Sequence, residues 1–213
     1  MADLFFEKKE VHAVPIGACF ITSLKNHELV IFRGGWGKIS AAATAQYVID
    51  TFHPDILCNL GTCGGIEGRV ELGTIILVEK TVIYDIQELM TDPEQAIEAY
   101  STEIDLDWLS LPFPPNTRRG LMVSADRDIL VGDIPKLVDR YGAIAADWES
   151  GSIAWVARQN RVKCLILRGV TDLVGREGGE AYGNYELYRS RTRDVMTTLF
   201  TQLPEWLNLI HTG

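Results

Sequence analysis

The chain lacks the spacings of a metal or redox centre. It holds four cysteines, Cys19, Cys58, Cys63 and Cys164, and none forms a C-x-x-C pair. No zinc-ligand spacing exists, and the four histidines are scattered. Reduced cysteines in a cytoplasmic protein are expected, with no metal and no cofactor. Positive charge is also scarce. Twenty Lys and Arg face 29 Asp and Glu, a net charge of −9. That balance disfavours nucleic acid and anionic membrane as partners, because both reward a basic surface. A local basic pocket remains compatible with it. No apolar run approaches the ~18 residues of a membrane span. The opening MADLFFEKKE has no apolar signal region. There is no internal repeat, no low-complexity tract, and no G-x-G-x-x-G between a strand and a helix, which argues against a dinucleotide site.

What remains is an ordinary globular composition, 46% apolar and 23% charged. Its 213 residues suit one domain with a large core, expected over 1–213. Residues 11–22 and 28–34 are apolar or β-branched and read as a hairpin about Lys25-Asn26-His27. Gly34-Gly35-Trp36-Gly37 reads as a turn. Residues 38–52 are alanine-rich and predict a helix, ended by His53-Pro54. A short strand is expected over 55–60, and extended chain from Val70 to Ile86. Residues 87–117 read as a surface loop with a short helix near 93–100. Strands then follow at 119–124, 143–147 and 162–170, with helices near 133–141, 149–159 and 183–211. Pro204 predicts a kink or break in the last helix. The short strands are apolar throughout, as when both sheet faces are covered. The class is α/β, three layers (α/β/α) with a mixed central sheet.

Three segments carry chemistry. Asn59-Leu60-Gly61-Thr62-Cys63-Gly64-Gly65 follows an apolar strand and packs glycines around one hydroxyl. It reads as a turn at the end of a strand, where open sheets place small-molecule sites. Asp147-Trp148-Glu149-Ser150 and Arg168-Gly169-Val170-Thr171-Asp172 follow, each at the end of an apolar strand. Asp172 can donate a proton to a ring nitrogen if its pKa is raised, or cap a following turn. Glu149 can accept two vicinal hydroxyls, or simply sit in the first turn of a helix. Thr62 and the amides around it suit a sugar or an anion. Near that turn only Arg33 and Arg168 offer a cation. Trp148, Tyr182 and Tyr185 can frame a flat base, or pack a core.

Together the three motifs resemble the nucleoside phosphorylase/hydrolase superfamily, and within it the 5′-methylthioadenosine/S-adenosylhomocysteine nucleosidases. The likeness runs from about Val11 to the C-terminus. It implies a mixed, partly closed sheet flanked by helices, a homodimer, and a small-molecule nucleoside substrate. By position, Asp172 matches the acid that protonates adenine N7, and Glu149 the residue that grips the ribose diol. Trp148 lies beside the sugar, and Thr62 and Gly64 fall in the glycine run. Arg168 and Thr171 match the neighbours that orient the aspartate. Ile129 falls where a backbone reads the purine edge, and Tyr182 where an aromatic lines the base pocket. The implied chemistry is N-glycosidic cleavage through an oxocarbenium-like state.

Phosphorylases of the superfamily carry an arginine two residues before the turn's glycine. Here that position is Asn59, which implies water as the nucleophile. A phosphorylase using Arg33 or a neighbouring subunit, and a nucleoside-binding protein without turnover, are the alternatives. Three departures stand out. Family members open on a strand with a Gly-x-x-x-Glu-Glu-like segment that positions the water, and this chain is expected to begin after it. Neither Glu7 nor Glu10 sits in a matching motif. Asp128 replaces the family's base-stacking phenylalanine, and the 87–117 segment is shortened.

Overall fold

The computed structural model describes residues 10–210. Glu7 therefore lies outside the described residues, and Glu10 is exposed. The first expected strand is cut in two. Pro15 and Ile16 form a turn between β1 (His12–Val14) and β2 (Gly17–Leu24). Proline offers no N–H to a ladder, so the chain turns there instead of pairing on. β2 then pairs with β3 (His27–Arg33), Thr22 opposite Leu29. These three strands form a small antiparallel sheet of their own.

Helix α1 (Gly37–Phe52) buries Ala41, Ala45, Val48 and Ile49, one face at helical spacing. It stops at His53, which is left-handed (φ 47°) ahead of Pro54. The main sheet comprises β4 (Ile56–Ile66), β5 (Ile75–Ile83), β6 (Thr102–Glu103), β7 (Thr117–Ser124), β8 (Ala145–Asp147), β9 (Lys163–Gly175) and β10 (Gly178–Gly179). Its order is β10-β9-β4-β8-β7-β5-β6, and β5 also pairs with β9. Five strands thus close on themselves: β9, β4, β8, β7 and β5. The expected partial closure is complete, because β5 reaches β9 through Ile75, Ile76 and Leu77. Closure removes the free edges of those strands where they pair.

Helices cover the ring. α1 packs with α4 (Ser150–Asn160) over Val78, Met122 and Ile166. α2 (Pro93–Tyr100) and α3 (Ile134–Tyr141) cover Val82 and Val123. α5 (Tyr185–Asn208) covers Ile75, Leu77 and Leu165. Pro204 does not end α5. Trp206, fully buried, and Leu207 anchor the last turn in the core and offset the proline's missing bond. Among the described residues no helix is long and apolar enough to cross a membrane.

Two boundaries differ in a way that matters. β4 runs straight through the glycine segment to Ile66, and β9 runs through Thr171-Asp172 to Gly175. The glycine run is strand interior, not a turn. Asp172 lies inside a strand, not at its end, so the reading of it as a turn cap is excluded.

Candidate functional site

β4 and β9 lie parallel, with Gly61 opposite Arg168 and Cys63 opposite Val170. The next pair is Gly64 with Asp172, so Thr171 is an extra residue on β9. Such a bulge re-aims the side chains beyond it. Val170 packs into the α1/α4 cluster, whereas Val174 packs with Ile66 and Ile129 on the α3 side. Asp172 goes with Val174. A β-carbon built on Gly64 would lie 3.6 Å from Val174, 3.7 Å from Ile129 and 3.9 Å from Asp172 Oδ1. Gly64 also pairs with Ala146 of β8 on its other side. Asp172 and the segment leading into Glu149 therefore flank one glycine, about two strand spacings (~10 Å) apart.

The glycines serve close approach. A β-carbon at Gly61 would sit 1.9 Å from Arg168 Nη1, and one at Gly65 would come 2.6 Å from Val70. Gly61 leaves room for a guanidinium that is only 4% exposed. Arg168 Nε lies 2.8 Å from Asp147 Oδ2 and donates to Ser150 Oγ at 3.0 Å. Nη1 reaches the Thr62 carbonyl (3.4 Å), and Nη2 reaches Asn59 Oδ1 (2.8 Å) and Glu149 Oε2 (3.5 Å). Asp147 is itself saturated. It accepts from Ser124 Oγ at 2.7 Å, from the Ser150 N–H, and from the Ser150 hydroxyl. A buried ion pair persists when its remaining polar valences are filled in this way.

Glu149 stands at the start of α4 but makes no side-chain cap. Its Oε1 accepts instead from the Gly37 N–H at 3.1 Å. Burial pushes the Glu149 carboxyl up, while the Arg168 charge pulls it back down. Asp172 is also raised, chiefly by burial. The Thr171 hydroxyl and Arg191 oppose the shift, and Glu180 and Asp128 add to it. Thr171 Oγ1 lies 3.2 Å from both the Cys63 carbonyl and Asp172 Oδ1. A hydroxyl has one proton, so it can serve only one acceptor fully. Burial favours the neutral form of Asp172 against the Thr171 and Arg191 contacts, and a neutral acid can give a proton to a base.

Tyr182 donates to the Ile129 carbonyl at 3.0 Å, and its ring packs against Gly179, where a β-carbon would come 2.5 Å from it. Burial, Asp128 and Asp172 push its hydroxyl up, so it stays a donor. Thr62, partly buried, contributes its carbonyl to Arg168, and Trp148 is half-buried beside Glu149. Asp128 and Tyr185 are exposed. Sequence reasoning passed over Gly37, the Asp147–Ser150–Ser124 network, and Asn59 as an arginine partner. Asp147 had a signal, since it precedes Glu149 by two residues. Gly37 had none, lying 112 residues from its acceptor. A separate 460 Å³ groove lies between α2 and α3, lined by Lys80, Val82, Ile97, Arg140 and Tyr141, and holds none of the site residues.

A family model described as the phosphorylase superfamily matches residues 2–201. The 5′-methylthioadenosine/S-adenosylhomocysteine nucleosidase of Thermotoga maritima is 31% identical over 164 residues, covering 76% of this chain and 74% of that protein. The protein of the same name from Staphylococcus carnosus is 27% identical, covering 83% of each. Among solved structures, the Helicobacter pylori 5′-methylthioadenosine/S-adenosylhomocysteine nucleosidase with butyl-thio-DADMe-Immucillin-A superposes with a TM-score of 0.77. It is 18% identical, covering 97% of this chain and 90% of that one. The futalosine hydrolase of the same species gives 0.78 at 17% identity, covering 97% and 91%. At such identities the structural likeness speaks for the fold.

Proposed function

Because the chain belongs to the phosphorylase superfamily, and within it to the 5′-methylthioadenosine/S-adenosylhomocysteine nucleosidases, we propose that it hydrolyses the N-glycosidic bond of a purine nucleoside such as 5′-methylthioadenosine or S-adenosylhomocysteine. The observation that carries this reading is the pairing of Gly64 with Asp172 on one side and Ala146 on the other. It supports the reading by bringing Asp172 and the segment leading into Glu149 to either side of one glycine.

Asp172, neutral, gives its proton to purine N7. The electron pair of the breaking C1′–N9 bond then flows into the protonated, cationic base, which leaves as the neutral purine. Water adds to C1′, and its lost proton restores Asp172 through solvent. Glu149 accepts the 2′ and 3′ hydroxyls and so holds the ribose in place. Thr171 and Arg168 hold the two carboxylates, and Trp148, Thr62 and Gly64 border the sugar. The Ile129 carbonyl already accepts from Tyr182 and keeps a second lone pair for a base amino group.

Water is favoured over phosphate by charge. Asp147 and Glu149 both contact Arg168, so a phosphate dianion would meet two carboxylates around one committed cation. The test is to incubate the protein with a nucleoside panel, with and without phosphate. Free base with ribose is expected; ribose-1-phosphate, formed only with phosphate, would overturn hydrolysis.

The protein is further read as a homodimer. Trp36 and Ile39, 86% and 85% exposed beside the Gly37 contact, and Leu89 and Met90 call for cover. Sedimentation at a monomer's mass would end that reading. The four free cysteines fit the cytoplasm.

A further inference from the structure

The segment Gly34–Gly37 has no part in the mechanism above, yet its last residue touches the site. Gly37 donates its N–H to Glu149 Oε1 at 3.1 Å. Glycine is required there. Its φ is +81°, and a β-carbon would come 2.8 Å from Asp126 Oδ1. The next residue, Lys38, ties this corner down. Lys38 Nζ lies 2.5 Å from Asp85 Oδ1 and 3.8 Å from Asp126 Oδ2. Its own N–H donates to Asp126 Oδ1 at 2.7 Å, and the Asp126 N–H donates to Asp85 Oδ2 at 3.1 Å. Asp85 follows β5 and Asp126 follows β7. One lysine therefore laces the ends of two strands to the first turn of α1.

We propose that Lys38 is a positioning residue for Glu149. By bridging Asp85 and Asp126, it fixes the Gly37 amide and so the angle at which Glu149 meets the ribose diol. The inference rests on the nucleosidase reading for its kinetics, and on geometry alone for its structure. An isolated surface ion pair contributes little. This one differs in kind. The Lys38 and Asp85 side chains are 22% and 17% exposed, two carboxylates share the ammonium, and backbone bonds close the loop. Glu149 Oε2 is already set by Arg168, which is anchored on its far side by Asp147. The Gly37 amide is the second point that fixes the carboxylate plane.

The experiment compares 5′-methylthioadenosine with its 2′-deoxy analogue on wild type, Lys38→Met, Lys38→Arg and Asp85→Asn. Lys38→Met should raise KM for the ribonucleoside on the order of tenfold, the scale of one charge-assisted hydrogen bond. Its kcat and the 2′-deoxy KM should barely move. Lys38→Arg should restore most of the loss, and Asp85→Asn should show the same selective rise in milder form. An unchanged ribonucleoside KM in Lys38→Met, an equal loss on both substrates, or no rescue by arginine would overturn the proposal. Amide exchange at Gly37 is read in parallel, without substrate. It should be slow in wild type and Lys38→Arg and fast in Lys38→Met, and equal protection would also overturn it. If wild type cleaves neither nucleoside, the enzymatic reading fails on its own and Gly37 exchange still decides the positioning role.

Discussion

Arg168 and Asn59 meet at 2.8 Å, guanidinium Nη2 to amide Oδ1, across neighbouring parallel strands. With Asp147 on Nε, Thr62 on Nη1 and Glu149 also on Nη2, the arginine is spent almost wholly on internal acceptors. It serves as an organiser of carboxylates more than as a receptor for an external anion.

Loss of Asp147 should therefore be costly. Asp147→Asn leaves a guanidinium 4% exposed without its main counter-charge. Breaking a buried pair from one side costs about 3–5 kcal/mol. Urea unfolding of the variant measures this directly, and a loss below about 1 kcal/mol would show that Arg168 finds another partner.

Asp172→Asn should lower kcat by ~10²–10⁴, the usual scale of general acid catalysis, with a smaller change in KM. Steady-state assay with released adenine as readout checks it. Rates like those of wild type would remove Asp172 from the proton transfer.

The same substitution should stabilise the fold at neutral pH. Asp172 has a folded pKa above its unfolded value. Its contribution to stability is then fully present below the unfolded carboxylate value and is lost as pH rises through the raised folded one. An uncharged amide escapes that loss. Thermal unfolding should show Asp172→Asn gaining on wild type as pH rises from about 4 to 8, and lagging or equal at the acid end. The opposite slope would mean that the aspartate is held charged.

Glu149→Gln should mainly spoil sugar recognition. Wild type is expected to prefer ribo over 2′-deoxy substrates, and the variant to lose most of that preference. Competition assays between the two nucleosides give the ratio, and an indifferent wild type would remove Glu149 from the diol.

Gly61→Ala tests why that glycine is there. The added methyl would sit 1.9 Å from Arg168 Nη1, so the guanidinium must move. Overpacking of this kind costs about 1–3 kcal/mol, and turnover should fall with it. A variant as active and as stable as wild type would show that the strand can yield.

The local part of this structure was legible in the sequence. α1 announces itself by alanine content and by His53-Pro54 at its end, and α2 by Asp92-Pro93, whose carboxylate caps the Glu94 N–H. The three motifs marked the right strands. What misled was glycine. In Asn59–Gly65 it suggested a turn, whereas Gly61 and Gly65 exist for neighbours that only the folded chain brings near, Arg168 and Val170. The ends of β4 and β9 were missed for the same reason. Each strand continues because the other lies beside it, and that information is about 100 residues away in the sequence.

The extra residue in β9 has a further consequence. Side chains alternate along a strand, so the surplus of one at Thr171 is what lets Arg168 and Asp172 serve opposite sides of the same ribbon. The unpaired position is as constrained as the residues around it. A single residue inserted in β4 between Cys63 and Gly64 would pair with Thr171 and make the ladder regular, which would turn the acid toward the α1/α4 interior and bring Leu173 out in its place.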